Sequence, residues 1–174
     1  MSERGERGER GERGGAGRPY AAVDIDGVLA DPTHRLRFVA QRPKDWDAFF
    51  AAAPEDPPLA EGLAVARRLA GDHEIVYLTG RPERCRADTV EWLERHELPP
   101  GRLVMRRAGD RRPARLAKLD LLRRLAADRP VDVLVDDDAE VCAAAEGAGF
   151  TVLRADWLPP RPALSEAQER EGRS

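Results

Sequence analysis

The sequence predicts an α/β fold in which helices cover both faces of a central parallel sheet. Short apolar or β-branched runs alternate with helical patterns along most of the chain. This alternation is typical of parallel strands that are joined by helical crossovers. In such sheets ligands bind at the carboxyl ends of the strands. We therefore expect a three-layer, Rossmann-like fold whose functional residues lie where the predicted strands end.

Five strands and four helices are predicted, in alternation. The runs that predict strands are 20–25, 74–78, 103–105, 131–135 and 150–153. Helical patterns fill the intervals at 59–69, 83–95, 115–127 and 139–148. Leucines at every third position from Leu116 to Leu125 predict one apolar stripe that packs on the sheet.

The two ends of the chain differ from its middle. Four Glu-Arg-Gly triplets occupy residues 3–14 without the prolines of a collagen helix, so residues 1–17 are predicted to be a disordered tail. Prolines at 159, 160 and 162 lead into a charged segment, and residues 158–174 are predicted to be a second tail, disordered or loosely docked. Residues 18–157 remain as one domain that is long enough to bury a core.

Composition excludes several classes of protein. The chain has 29 Lys and Arg against 32 Asp and Glu, and this net charge of −3 does not by itself indicate a polyanion partner. It contains no long apolar run and no signal peptide, so we expect a soluble, cytoplasmic protein with no membrane partner. Cys85 and Cys142 stand far apart without a metal-binding motif, which favours reduced thiols used in packing.

Two acidic residues mark the end of the first predicted strand. Asp24 and Asp26 are followed by Gly27, which permits the bend that brings both carboxylates to one site. Alone, this pattern is as compatible with a strand end and an Asx turn as with a catalytic site. Three further polar groups come near the other strand ends: Thr79-Gly80-Arg81, Lys118, and Asp136-Asp137-Asp138. Because these positions meet at one edge of a parallel sheet, we expect a shared cleft.

The expected cleft has the composition of a phosphoryl-transfer site. Converging carboxylates repel one another unless a cation lies among them, and oxygen ligands favour Mg²⁺ over zinc. A carboxylate beside Mg²⁺ attacks phosphorus, while Thr79 and backbone amides hold the phosphoryl oxygens and Lys118 offsets charge. Asp26 is then placed to protonate the leaving oxygen and later to activate water. The predicted reaction is phosphoryl transfer to water.

The same residues, in this order, resemble the four motifs of the haloacid dehalogenase (HAD) superfamily. The resemblance extends from Tyr20 to Trp157. It implies Asp24 as the nucleophile, Asp26 as the acid and base, and a Mg²⁺ ion held by Asp24, the Asp26 carbonyl oxygen, and Asp136 or Asp137. Members that cleave carbon–halogen bonds lack the second acid of the first motif, so Asp26 indicates the phosphatase branch.

The arginine-rich stretch from Leu103 to Lys118 is similar to the corresponding stretch in the phosphatase domain of polynucleotide kinase-phosphatases of the bacteriophage type. By charge count alone this stretch would be a solvated helix face. An arginine eleven residues after Asp24 and the Thr-Gly-Arg sequence extend the resemblance, which implies removal of a 3′-phosphate from a DNA or RNA end, as in repair. The residues expected to bind the phosphate or the substrate are Gly80, Arg81, Arg35, Arg106, Asp110, Arg111 and Arg112.

Several features depart from that family or limit the resemblance. Ala114 stands where an acidic residue is expected four positions before the lysine, and Asp138 stands where a basic residue is common. No GxxxxGK[ST] loop is present, so a kinase or ligase would be a separate partner. About thirty residues, 31–60, separate the first strand from the next helix. We expect from them only a minimal cap, with one helix around Trp46, and a cleft open to the end of a large molecule.

Two alternatives remain at this point. The sequence Asp-x-Asp-Gly-Val-Leu-Ala-Asp also resembles the first motif of 5′(3′)-deoxyribonucleotidases, which act on small molecules. A different class would be a non-catalytic module that binds phosphorylated ends. The sequence leaves open the choice of DNA or RNA, the position of the phosphate and the oligomeric state.

Overall fold

A parallel five-stranded sheet forms the centre of the molecule. The computed structural model describes residues 17–171. In chain order the strands are β1 Tyr20–Val23, β2 Glu74–Pro82, β3 Gly101–Arg106, β4 Val131–Asp136 and β5 Val152–Arg154. Their order across the sheet is β3-β2-β1-β4-β5, and all neighbouring strands are parallel. The predicted fold class is confirmed.

Helices connect the strands and extend beyond the four that the sequence predicts. Within residues 17–171 they are α1 Arg37–Ala40, α2 Trp46–Ala51, α3 Ala60–Leu69, α4 Arg86–Arg95, α5 Ala114–Asp128, α6 Ala139–Gly147 and α7 Pro162–Glu171. The predicted helices correspond to α3, α4, α5 and α6. In this part of the chain no helix has both the length and the apolar character needed to cross a membrane.

Both faces of the sheet are covered, because successive side chains of a strand point to opposite sides. Val23 of β1 is buried in a cluster with Ala66 of α3 and Trp92 of α4. Its neighbour Ala22 belongs to a second cluster with Leu122 of α5. The sheet is therefore the middle of three layers, as the alternating pattern predicts.

The leucine repeat of α5 does not form the single stripe that its spacing suggests. Leu122 and Leu125 are buried, whereas Leu116 is 45% exposed. A helix has 3.6 residues per turn, so positions three apart rotate progressively away from one face. Ala114 and Ala117 occupy the buried side at the start of the helix instead. Small residues at these two positions bring α5 close to the end of the sheet.

The C-terminal segment forms helix α7 from residue 162 and packs on the rest of the fold, where the sequence suggests a disordered or loosely docked tail. Leu164 and Ala167 of α7 are buried against the short insert between β1 and α3. The apolar cluster they join contains Val39, Trp46, Phe49, Phe50, Cys85 and Met105. Trp46 Nε1 also donates a hydrogen bond to Glu171 Oε2 at 2.8 Å. The insert thus has a small core, but only because α7 completes it.

The predicted disorder of the Glu-Arg-Gly repeat concerns residues that lie outside the described part of the chain, as do the last three residues. The expected single helix of the cap is present as α2, beside the shorter α1. The cap remains minimal, in agreement with the short length of the insert.

Gly62 in α3 lies against the backbone of the loop that carries the acidic motif. A Cβ atom at this position would lie 1.8 Å from the carbonyl oxygen of Val28. The same carbonyl oxygen accepts a hydrogen bond from Trp157 Nε1 at 3.1 Å. This close approach holds α3 against the loop that follows Asp26.

Replacing Gly62 with alanine is expected to destabilise the fold by about 1–3 kcal/mol, because the added methyl group overpacks the contact with Val28. Alanine itself favours a helix by about 1 kcal/mol over glycine, so the contact sets the sign. The matched control is Gly147→Ala in α6, where no atom lies within 4 Å of the new Cβ. Urea denaturation of both variants measures the difference. A Gly62→Ala variant as stable as Gly147→Ala would contradict the close approach.

Candidate active site

The acidic motif lies at the point in the sheet where the strand order reverses, between β1 and β4. β1 has β2 on one side and β4 on the other, and Asp24 directly follows β1. The backbone N–H of Asp24 donates to the carbonyl oxygen of Val135 at 2.9 Å, which places Asp24 beside Asp136, the last residue of β4. An open parallel sheet has its crevice at such a point.

Lys118 bridges the two carboxylates at this point. Its Nζ atom lies 2.8 Å from Asp24 Oδ2 and 2.7 Å from Asp136 Oδ2, and all three side chains are buried. Burial opposes the charged form of the lysine, but Asp136 and Asp24 together raise the pKa of Lys118 above its ordinary value. The ammonium group therefore stays protonated and fixes the two carboxylates relative to each other.

Three carboxylates form a cluster that could hold a cation. Asp24, Asp136 and Asp137 each offer an oxygen atom, and these atoms lie within 4.8 Å of one another. Burial raises the pKa of Asp24, and Lys118 offsets this only in part. Burial and the neighbouring Asp136 raise the pKa of Asp137 to about 7. A cation would stabilise the charged forms, and a set of oxygen ligands fits a hard divalent ion such as Mg²⁺. Both acids of the Asp136-Asp137 pair belong to this cluster.

The Asp26 carboxylate lies outside that cluster and has its own cations. Its Oδ1 atom lies 2.6 Å from Arg35 Nη2 and 2.6 Å from Arg81 Nη2. Both guanidinium groups also pair with Asp56, at 2.6 and 3.0 Å from its Oδ2 atom. Burial alone would raise the pKa of Asp26, but Arg35 and Arg81 hold it below its ordinary value. Asp26 is therefore ionised at neutral pH in this state.

Arg35 and Arg81 were expected to bind the phosphate, but in this network they contact the Asp26 carboxylate instead. Arg35 is fully buried and Arg81 is 1% exposed, and neither lines the cavity described below. They lie behind Asp26, where they compensate its charge. Asp56 completes the network and was missed by sequence reasoning, since two consecutive acids between prolines, Glu55 and Asp56, have no periodic or motif signal. It is visible only once residues 35, 56 and 81 are close in space.

A cavity of about 260 Å³ opens above the cluster. The predicted residues that line it are Asp24, Asp26, Thr79, Gly80, Lys118 and Asp137. Asp136 lies beneath this surface and is fully buried. Thr79 Oγ1 accepts a hydrogen bond from the backbone N–H of Arg81 at 3.2 Å, which orients the hydroxyl group at the end of β2. The four residues predicted to be catalytic are thus brought to one cavity.

The C-terminal segment forms the opposite wall of the cavity, so the cleft is less open than expected. Residues 158–162 and the first turn of α7 line it. Arg161 pairs with the Asp137 carboxylate. It also lies against Gly27, which has a φ of +83°, and a Cβ atom there would lie 2.1 Å from Arg161 Nη2. Glycine at this turn is therefore required both by the backbone conformation and by the approach of the arginine.

A second groove of about 280 Å³ adjoins the cavity, and Gly80 lines both. Its lining includes the aromatic residues Trp46 and Phe50 and the arginine-rich loop after β3. Arg107 and Arg111 of this loop are exposed. The groove thus combines two aromatic side chains with four arginines and three acids, which are Arg84, Arg106, Arg107, Arg111, Asp47, Glu83 and Asp110.

The remaining predicted residues of this loop organise its backbone. Arg106 is buried, and its Nη1 atom donates to the carbonyl oxygens of Asp110 at 3.4 Å and Arg112 at 3.1 Å. The Arg112 side chain in turn donates to the Asp110 carboxylate and lowers the pKa of Asp110 to about 2. Arg106, Asp110 and Arg112 therefore shape the loop. Arg111 and Arg112 are both exposed, but Arg112 pairs with Asp110, whereas Arg111 forms no ion pair within residues 17–171.

A family model described as the polynucleotide kinase PNKP phosphatase domain matches residues 19–156. No curated protein matches the chain. Among solved structures, one chain of the Pnkp1/Rnl/Hen1 RNA repair complex is similar, with a TM-score of 0.64 and 20% sequence identity over 79% of this chain and 42% of that chain. This protein thus spans less than half the length of that neighbour.

Two further solved structures have the same fold. The class C acid phosphatase from Bacillus anthracis with tungstate bound has a TM-score of 0.60 and 14% identity, over 83% of this chain and 70% of that chain. The putative HAD-hydrolase YfnB from Bacillus subtilis bound to magnesium has a TM-score of 0.53 and 9% identity, over 78% of this chain and 87% of that chain.

At such identities these superpositions establish the fold alone. The family model goes further, because it spans more than half of the chain. Its match includes the predicted residues that line the cavity, Asp24, Asp26, Thr79, Gly80, Lys118 and Asp137. The chain therefore belongs to the family of polynucleotide kinase PNKP phosphatase domains and is a phosphatase of the haloacid dehalogenase superfamily.

Proposed function

We propose that this protein is a Mg²⁺-dependent polynucleotide 3′-phosphatase that acts through an aspartyl-phosphate on Asp24. The observation that carries the proposal is the buried bridge from Lys118 to Asp24 and Asp136, at the floor of a cavity lined by Thr79 and Asp26. This arrangement supplies a fixed carboxylate, a cation and an acid or base within one small space.

Asp24 is oriented for attack on phosphorus. Its Oδ1 atom accepts a hydrogen bond from the N–H of Ile25 at 2.8 Å, and its Oδ2 atom lies at Lys118. In the first step a bond forms between a carboxylate oxygen of Asp24 and phosphorus, while the bond from phosphorus to the 3′-oxygen breaks. The Thr79 hydroxyl and nearby backbone N–H groups hold the non-bridging oxygens, and Lys118 compensates developing charge. Mg²⁺ held by Asp24, Asp136 and Asp137 would offset the charge of the phosphate.

Asp26 handles the proton in both steps. It is ionised before substrate binds. The like charge of an incoming phosphate raises its pKa, so that Asp26 takes up a proton from solvent and gives it to the leaving 3′-oxygen as the bond to phosphorus breaks. In the second step Asp26 removes a proton from the water that attacks phosphorus, and inorganic phosphate leaves with Asp24 regenerated. Arg35 and Arg81 act as positioning residues, because they hold Asp26 and do not reach the cavity.

The second groove supports a nucleic acid as the substrate. It begins at Gly80, directly beside the reacting groups, and presents Arg107 and Arg111 to solvent. Neither side chain makes an ion pair within residues 17–171, so both charges are available to backbone phosphates. Trp46 and Phe50 add an apolar floor for the terminal nucleoside. A partner in nucleic-acid repair is part of the proposal, because one chain of the Pnkp1/Rnl/Hen1 RNA repair complex is similar in structure.

A small-molecule phosphatase, such as a 5′(3′)-nucleotidase, is the second candidate. It is favoured by one observation, the wall that residues 158–162 add to a cavity of about 260 Å³. The discriminating measurement is kcat/KM with Mg²⁺ for a 3′-phosphorylated oligonucleotide, a 3′-mononucleotide and an aryl phosphate. Preference for the oligonucleotide supports the proposal. Cleavage of mononucleotides alone would contradict it, and phosphate-end binding without turnover would indicate a non-catalytic module.

Asp24→Asn is expected to lower kcat by at least about a thousandfold, since the amide is not a nucleophile. Asp132→Asn is the matched control, because this half-exposed acid of β4 pairs with His73 and lies outside the cavity. Steady-state turnover of a 3′-phosphorylated oligonucleotide measures both. Comparable activity in the two variants would remove Asp24 from the nucleophilic role.

Arg35→Gln is expected to lower kcat by about tenfold or more without changing the inhibition constant of inorganic phosphate, because Arg35 acts through Asp26 and does not contact phosphate. Loss of one partner from a buried charge network destabilises a fold by about 3–5 kcal/mol, so thermal melting is recorded and Arg35→Lys is included as the milder variant. An inhibition constant that rises as much as kcat falls would restore Arg35 to the role of phosphate ligand that the sequence suggests.

Arg107→Gln combined with Arg111→Gln is expected to reduce kcat/KM for an oligonucleotide by about tenfold and to leave aryl-phosphate turnover unchanged. Loss of two phosphate contacts should also lower the slope of log affinity against log salt by about 1.4 to 1.8. Arg68→Gln with Arg123→Gln removes the same charge from exposed positions outside both cavities. Equal effects of the two double variants would show that the groove makes no specific contact.

A further inference from the structure

Arg161 occupies an unusual electrostatic position for a residue of a C-terminal segment. Its side chain is 10% exposed and pairs with Asp137, one of the three clustered carboxylates. The pairing atom is Nη2. The other terminal nitrogen, Nη1, is buried and has no hydrogen-bond partner within residues 17–171. An unsatisfied buried donor is unfavourable, so this atom points to a ligand that supplies an acceptor.

The position of the guanidinium group indicates an anionic ligand. Arg161 lines the cavity together with Asp24, Thr79 and Lys118, the groups that surround the phosphoryl group in the proposed reaction. Lys118 is already committed to two carboxylates. The Arg161 guanidinium group, whose Nη1 atom lacks an acceptor, would add positive charge around a phosphate dianion to that of Lys118 and the proposed Mg²⁺.

The segment that carries Arg161 is anchored well enough to position it. Immediately after the arginine, α7 buries Leu164 and Ala167 among the apolar residues of the cap insert. Glu169 forms an ion pair with Arg115 of α5, on the far side of the helix from the cap contact of Glu171. Arg161 thus directly precedes α7, a helix that is anchored both to the cap insert and to α5.

We propose that Arg161 is a substrate-binding residue that grips the non-bridging oxygens of the phosphoryl group, and that Asp137 is its partner only while the cavity holds no phosphate. The C-terminal segment would then be a wall of the active site that recognises phosphate, in addition to Thr79 and Lys118. This inference rests on the proposed phosphatase activity, but it does not depend on the nature of the leaving group.

The test compares Arg161→Gln and Arg161→Lys with Arg170→Gln. Arg170 lies in α7, the helix that directly follows Arg161, is 74% exposed and does not line the catalytic cavity. The readouts are kcat and KM for an aryl phosphate with Mg²⁺ and the inhibition constant of inorganic phosphate. Arg161→Gln should raise both KM and the inhibition constant by about tenfold, Arg161→Lys should restore part of this loss, and Arg170→Gln should change neither.

Two results would overturn the inference. If Arg161→Gln stays within about twofold of Arg170→Gln, Arg161 is only an anchor of the segment. If inorganic phosphate binds more tightly to Arg161→Gln than to the unaltered protein, Arg161 competes for Asp137 and does not assist the substrate.

Neither probe contains a nucleic acid, so a failure of the polynucleotide proposal appears separately, as a lack of preference for oligonucleotides. Should the protein turn over no phosphate monoester, calorimetric titration of the same variants with inorganic phosphate and Mg²⁺ gives the comparison directly. A tenfold weaker binding in Arg161→Gln alone would support the inference, and equal binding in all variants would overturn it.

Discussion

The bridge from Lys118 to two buried carboxylates is the interaction on which the rest of the site depends. Asp24 directly follows β1 and Asp136 ends the neighbouring parallel strand β4, and the sheet brings them together whether or not their charges are compensated. Buried like charges would destabilise the fold by several kcal/mol if no cation lay between them. Lys118, at the start of the second turn of α5, supplies that cation, and the small buried residues Ala114 and Ala117 allow the helix to approach.

Asp24 and Asp26 are two residues apart and have opposite electrostatic environments. Burial among other acids raises the pKa of Asp24, whereas two guanidinium groups lower the pKa of Asp26. Such a separation of two carboxyl groups assigns them different chemical roles. In the proposed reaction a divalent cation would favour the ionised form of Asp24, since Lys118 only partly offsets the effect of burial on the pKa of Asp24. Compensation of buried charge therefore organises both halves of the site.

The sequence predicted the strands and the residues at their ends because both depend on local patterns. Strand runs, turn residues and the rule for parallel sheets were sufficient to place Asp24, Thr79, Lys118 and Asp137 at one cavity. What the sequence did not indicate depends on contacts between distant segments. Asp56 joins the Asp26 network only through tertiary folding, and the apolar face of α7 is too short to be recognised without the insert that it covers.

The most direct test of the account is chemical identification of the residue that carries the phosphoryl group. A 3′-phosphorylated substrate with labelled phosphorus is mixed with the protein and Mg²⁺, quenched with acid within one turnover, and the protein is digested and analysed by mass spectrometry. The account predicts acid-stable, base-labile phosphate on the peptide that contains Asp24 and on no other. Release of labelled phosphate within the first turnover with no covalent label, or a label on another residue, would contradict it.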